Sequence, residues 1–151
     1  MIFLGASYNN MAESILNKIK VSKLEEIESP SGNVMHALKK NEKEFFSFGE
    51  AYFSKIEKNK IKGWKMHKKM KSNLIVPYGL VKFVFYDVKN SLYREEIVGI
   101  NRYVRLFVPP KIWFAFQGLY KGESIILNIS NILHDPKEEE KRDINNFNYD
   151  W

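Results

Sequence analysis

The chain predicts an all-β domain, a barrel or a sandwich, on three observations. Strand-like segments recur roughly every 8–12 residues, with turn signals between them. No helix-period segments lie between those strands, which disfavours a parallel sheet with crossover helices. Apolar residues make up 44% of 151 residues and aromatics 15%, enough for one sizeable core.

The elements follow in order. Asn10 is placed to cap a short helix over Met11 to Ile19, with Ile15 and Ile19 four apart. Lys20 to Ile27 reads as a strand that ends at Ser29-Pro30-Ser31-Gly32, and Val34 to Leu38 as a short one. Phe45 to Ile56 has period two. One face carries Phe46, Phe48, Glu50, Tyr52, Ser54 and Ile56. A barrel interior with a local polar site produces that mixture, and so does a solvent-facing edge strand. Ile61 to His67 and Leu74 to Val76 come next, followed by a turn at Pro77-Tyr78-Gly79. Val81 to Asp87 alternates, with Val81, Phe83 and Phe85 on one face and Lys82, Val84 and Tyr86 on the other. Further strands are expected at Glu95 to Val98, Tyr103 to Val108, Trp113 to Phe116 and Ile125 to Ile132. The expected organisation is a single domain over 1–151. An arm of strands occupies 1–40, a barrel core 41–135, and a charged tail 136–151. The aromatics that end the tail, Tyr149 and Trp151, are expected to pack back on the body or on a partner.

Composition narrows the function. No apolar run approaches the ~20 residues that span a bilayer, so no membrane association is expected. No basic segment precedes the apolar opening Met1-Ile2-Phe3-Leu4, so no signal peptide is expected. With no cysteine, thiolate metal sites are excluded, and the cytoplasm is the simplest setting. The formal net charge is +6, and eight lysines fall between Lys55 and Lys71 against one acid, Glu57. A solvated lysine-rich face explains this, as does attraction of an anionic ligand such as a diphosphate. Nucleic acid is not the expected partner, because the aromatics lie within apolar strands and form no exposed stacking platform.

Three histidines are present, His36, His67 and His134, and none is within four residues of another. A metal site is therefore not expected. Serine-nucleophile and phosphate-loop signatures are absent. The dense stretch runs from Lys60 to Met70. In a strand, Gly63, Lys65 and His67 share one face while Trp64 and Met66 share the other. Either Lys65 and His67 face solvent over a core of Trp64 and Met66, or they face a polar interior, where a neutral His67 would be a competent general base. Asn73, Gln117 and Asn128 are candidates for polar contact with a ligand. His134-Asp135-Pro136 reads as a turn, and His36 as structural.

Lys62-Gly63-Trp64-Lys65-Met66-His67-Lys68-Lys69-Met70, followed by Pro77-Tyr78-Gly79 and Val81 to Asp87, resembles the sugar-nucleotide cupins. Val108 to Phe116 and the ending with Asp143 and Trp151 extend the resemblance over roughly 45–151. Two families are relevant, the dTDP-4-dehydrorhamnose 3,5-epimerases and the dTDP-sugar 3,4-ketoisomerases. Against the epimerase pattern, Ser54 and Ile56 take the paired serine positions and Lys62 the arginine. Lys65 takes the place of the base histidine, Asn73 that of a lysine, and Phe114 that of a second histidine. Against the ketoisomerase pattern, His67 matches the second of paired histidines and Lys65 replaces the first. Tyr52 matches the catalytic tyrosine, and Trp113 a tryptophan before a histidine.

The resemblance implies a cupin-type double-stranded β-helix, a jelly-roll barrel with at most a short N-terminal helix. It implies a metal-independent epimerase acting on a 4-keto-6-deoxy sugar nucleotide, with a dTDP-sugar 3,4-ketoisomerase or a non-catalytic sugar-nucleotide binder as alternatives. Neither metal nor organic cofactor is expected. His67 would be the base and Tyr52 the proton donor. Lys62 and Lys65 would meet the enolate or the diphosphate, and Trp113 would stack on the base. A nucleotide-diphosphate sugar as partner, a role in cell-surface polysaccharide biosynthesis and a homodimer with N-terminal strands paired across subunits are implied as well.

Overall fold

The computed structural model describes residues 13–151. The N-terminal helix expected from Asn10 and Met11 begins outside the described residues. What is described is one 3-10 turn, Ile15–Lys18, capped by Ser14, whose Oγ accepts from the Leu16 N–H at 3.2 Å. Ser14 also donates to the buried carboxylate of Asp87 at 2.7 Å. Burial works against the charge on Asp87, but hydrogen bonds from Asn90 and Ser14 outweigh it and hold this carboxyl below its ordinary range.

Twelve strands follow: β1 Lys20–Lys23, β2 Glu26–Ile27, β3 Val34–Met35, β4 Glu50–Ile56, β5 Ile61–His67, β6 Ser72–Tyr78, β7 Leu80–Asp87, β8 Leu92–Gly99, β9 Val104–Val108, β10 Trp113–Gly118, β11 Ser124–Ser130 and β12 Glu139–Lys141. They form two five-stranded sheets, ordered β1-β9-β6-β11-β4 and β12-β5-β10-β7-β8, plus the small hairpin β2-β3. Every named strand pairing is antiparallel. The chain passes between the sheets at nearly every step, so β4, β11, β6 and β9 face β5, β10, β7 and β8. That order is the jelly roll of a cupin barrel.

Several expected boundaries move. The strand expected over Lys20 to Ile27 is two elements, β1 in the large sheet and β2 in the hairpin. The turn expected at Pro77-Tyr78-Gly79 is narrower, because β6 runs through Tyr78 and the chain turns at Gly79, with φ +90°. Beyond residue 135, read from sequence as a tail, β12 adds an edge strand beside β5.

Alternation along the strands builds the core between the sheets. Val81, Phe83 and Phe85 of β7 enter it with Leu74 and Val76 of β6, Phe114 and Phe116 of β10 and Ile126 of β11. The second sheet is apolar on its outer face too. Trp64, Val84, Trp113 and Ala115 form a second cluster there, covered by Ile144, Phe147, Tyr149 and Trp151. The C-terminal residues thus pack back on the body. Trp64 donates its indole N–H to the Ile144 carbonyl at 3.1 Å and is 1% exposed.

The outer face of the first sheet is covered differently. Arg105, on β9 and 1% exposed, pairs with Glu42 and with Glu44 (3.3 Å) and donates to the Ala37 carbonyl at 3.1 Å. Tyr103 donates to the His36 carbonyl at 2.9 Å, and Phe46 stacks on Phe107. His36 belongs to this structural cover.

Candidate active site

Because the second sheet is covered on both faces, the period-two pattern of β5 alone leaves its inward face undecided. The C-terminal cover decides it. It takes Trp64 and Met66 into the outer cluster and turns Lys65 and His67 toward the barrel interior. Gly63 sits at a close approach of β5 to β10, where a Cβ would stand 2.5 Å from the Ala115 Cβ and 2.7 Å from its Cα. With φ +129° as well, that position admits glycine almost alone.

Two adjoining hollows open between the sheets. The first, about 240 Å³, has an apolar floor of Leu74, Phe83, Phe114, Phe116 and Ile126. Its polar rim is Tyr52, Ser54, Lys62, Lys65, Asn128 and Lys141. The second, about 350 Å³, is lined by Glu50, His67, Met70, His134 and Glu139 and shares Tyr52, Lys65 and Lys141 with the first. An apolar concavity with a few convergent polar groups is the arrangement of a small-molecule site.

His67 is 5% exposed. Its Nδ1 is hydrogen-bonded to Oε1 of Glu138, whose Oε2 accepts from the backbone N–H groups of Lys69 at 3.0 Å and Met70 at 3.2 Å. Burial works against the charge on Glu138. The His67 hydrogen bond, the two amides and the His67 charge outweigh it and hold the carboxyl below its ordinary range. A carboxylate on Nδ1 fixes the proton there and leaves Nε2 as the basic nitrogen. Nε2 is buried and has no hydrogen-bond partner among the described residues. The neighbouring Glu139 follows the same pattern: burial opposes its charge, while Lys141, then Lys65 and His67, hold its carboxyl low.

On the facing sheet, Tyr52 lies on edge strand β4, opposite Asn128 of β11. The Asn128 amide donates to the Tyr52 hydroxyl oxygen at 2.8 Å. Tyr52 is 40% exposed, so it is not a core tyrosine. Lys62 donates to Ser54 Oγ at 3.3 Å and to the Lys55 carbonyl at 2.5 Å. The Lys65 ammonium stands 5.3 Å from the Phe114 ring centroid.

Of the eight residues singled out from sequence, Tyr52, Lys62, Lys65, Asn128 and His67 meet around these adjoining hollows. Three do not. Asn73 alternates with Leu74 and faces the outer side, where its amide donates to the Glu44 carbonyl at 3.1 Å. Trp113 belongs to the outer cluster, with the Arg142 guanidinium 5.4 Å from its ring. Gln117 alternates with the inward Phe116 and is absent from the lining. Sequence reasoning missed Glu138, Glu139 and Lys141, and read His134 only as a turn. Glu138 lies 71 residues from His67 in the unbroken charged run Lys137 to Arg142, which gives no local hint of the pairing. Among the described residues no group of three or more His, Asp or Glu is arranged to hold a metal ion.

Comparison with known proteins agrees with the fold. Residues 17–149 match the family described as FdtA: WxcM-like, C-terminal. No curated protein matches the chain. Among solved structures, a dTDP sugar isomerase from Desulfovibrio desulfuricans superposes with a TM-score of 0.83 at 26% identity, covering 88% of this chain and 90% of the other. The sugar 3,4-ketoisomerase QdtA from Thermoanaerobacterium thermosaccharolyticum, in complex with TDP, gives 0.73 at 19% identity over 85% and 90%. A dTDP-4-dehydrorhamnose 3,5-epimerase from Bacillus anthracis, with TDP and PPi bound, gives 0.75 at 16% identity over 88% and 83%.

Proposed function

The chain belongs to the FdtA, WxcM-like C-terminal family, and from that premise we propose that it is a sugar-nucleotide isomerase that enolises a dTDP-linked 4-keto-6-deoxy sugar. The observation that carries this reading is the buried His67–Glu138 pair, in which Nε2 has no partner among the described residues and His67 lines one cavity together with Tyr52.

Nε2 of His67 takes the proton from a carbon next to the ketone. The C–H electron pair forms the C=C bond, and the carbonyl pair moves onto O4. Glu138 stabilises the imidazolium as it forms, and Lys65 and Lys141, which line the same cavity, stabilise the charge of the enolate or of the diphosphate. Tyr52 then donates its hydroxyl proton to carbon. Return of a proton to the same carbon from the opposite face is epimerisation. Its delivery to C4, with the O3 proton passing to O4, is 3,4-ketoisomerisation. Either course balances without a redox partner. The dTDP sugar isomerase among the relatives favours the second outcome within the shared mechanism. A single domain, supported by the chain length, and a cytoplasmic setting, supported by composition, belong to the same proposal, as do a homodimer and a place in making sugars for cell-surface polysaccharide, which rest on the resemblance.

The test is incubation in deuterated buffer with dTDP-4-keto-6-deoxyglucose, followed by mass and product analysis. UDP-, GDP- and CDP-linked 4-keto sugars complete the panel. Deuterium in recovered sugar and a new stereoisomer or 3-keto product are expected with a dTDP sugar. Tight TDP binding with neither exchange nor product across the panel would make the protein a binder.

A further inference from the structure

Tyr52 has an unusual setting for a proton donor. It stands on an edge strand, more than a third exposed, and nothing in its own element fixes its hydroxyl. Among the described residues, the hydroxyl's one hydrogen bond comes from the Asn128 amide at 2.8 Å. Asn128 is 3% exposed on β11, a strand paired on both sides, with Tyr52 across one edge and Leu74 across the other. A buried side-chain amide is costly unless it serves a purpose, because its unbonded groups lose water. The Asn128 Oδ1 is buried without a partner among the described residues, so this amide is half-used there, and the used half meets Tyr52.

The direction of that bond has a consequence. Asn128 donates, so the phenol oxygen accepts, and the hydroxyl hydrogen must point elsewhere. Among the described residues no acceptor takes it, and both side chains line the first hollow. We propose that Asn128 is a positioning residue: its amide N–H holds the Tyr52 hydroxyl on an exposed edge strand and turns the hydroxyl proton into the cavity, toward the enolate carbon. This rests on the enolisation reading above. Asn128 then acts on reprotonation and leaves proton removal by His67 intact.

The experiment separates the two half-reactions. In deuterated buffer, wash-in to recovered substrate reports removal by His67, and product formation reports delivery by Tyr52. For Asn128→Leu we expect product formation to fall about 10- to 100-fold, at or below the lower end of what a lost general acid costs, while wash-in to substrate falls less than about threefold. Tyr52→Phe should show the same split, and the double variant should be no worse than Tyr52→Phe alone. Asn128→Asp keeps the size of the side chain but can only accept. It draws the Tyr52 proton to itself, so it should make product more slowly than Asn128→Leu.

A merely structural tether predicts the reverse order, with Asp better than Leu, and that order would overturn the proposal. So would a further loss on adding Asn128→Leu to Tyr52→Phe, or an equal fall in wash-in and product. Melting temperature and TDP binding of each variant are measured alongside, and a variant that does not fold is replaced by Asn128→Ser, for which the same split is expected. Absence of both wash-in and product in the unmodified protein would instead count against enolisation itself.

Discussion

The Nδ1 of His67 and the carboxylate of Glu138 form a buried pair between the last residue of β5 and the segment leading into β12, 71 residues apart in the chain. Each side chain is under 8% exposed. The pair ties the base of the proposed reaction to the part of the chain that otherwise covers the outer face of the barrel.

Replacing Glu138 therefore touches stability and activity together. Glu138→Ala removes the acceptor of His67 and of two backbone amides, which costs roughly 3 kcal/mol or more. Glu138→Gln keeps one acceptor for the two amides but turns an amide donor toward His67, so it should melt below the unmodified protein and above Glu138→Ala, and lose product formation about 100-fold, because a neutral amide no longer stabilises the imidazolium. Thermal melts and turnover of the two variants check this; equal turnover in Glu138→Gln and the unmodified protein would remove the pair from the mechanism.

The same carboxylate predicts a pH response. The pKa of Glu138 is lower in the folded chain than its ordinary 4.5. Its stabilisation is thus complete above the unfolded value and is lost as pH falls through the folded value. Asp87 and Glu139 shift in the same direction and add to it. Melting temperature should be flat from neutral pH to about pH 5 and drop below that. In Glu138→Gln the drop should be shallower.

His67→Asn should keep TDP affinity within about threefold and lose wash-in and product about 10²- to 10⁴-fold, a loss in kcat with KM little changed. Calorimetric binding of TDP beside the exchange assay separates the two quantities. A matching loss of TDP affinity would make His67 a binding group.

Lys65 and Lys141 face one another across β5 and β12 at the mouth shared by the two hollows. Lys65→Gln and Lys141→Gln are each expected to weaken TDP binding about tenfold, the worth of one charge-assisted hydrogen bond. The effect should shrink as salt rises. Affinity that ignores both substitutions and salt would place the diphosphate elsewhere.

Removal of 144–151 uncovers Trp64, Trp113 and Val84. The shortened chain should lose several kcal/mol of stability, in the range of deleting buried aromatic side chains, and tryptophan emission should shift to the red. Gly63→Ala is a local counterpart. Its Cβ would collide with Ala115 at a positive φ, so lower stability and a disturbed cavity are expected from a single methyl group.

Much of the fold was legible. The alternation of β7 put Val81, Phe83 and Phe85 on one face and Val84 and Tyr86 on the other, and the structure divides them between two cores in that way. Strand β5 has the bounds read from its sequence, Ile61–His67. The site was legible in part. Tyr52 and His67 carried a family signature, and Lys62, Lys65 and Asn128 were named and do meet around the cavity. Asn73, Trp113 and Gln117 have chemistry suited to a sugar or a base, but the parity of their strands sends them outward. Glu138 carried no signal, because a lone glutamate in a charged run looks like solvated surface until a partner arrives from far along the chain.

What the sequence by itself determined was the set of strands, their two-sided character, and one dense stretch in which Lys65 and His67 oppose Trp64 and Met66. Periodicity of two fixes which residues share a face, since alternate side chains point to opposite sides of a strand. It does not fix which face is inside when both are to be covered. Only the tertiary structure decided that. The C-terminal aromatics bury Trp64 on the outside, and Glu138 receives His67 on the inside. Both contacts cost chain entropy to close over 71 residues or more, and they form only once the two sheets have brought the ends together.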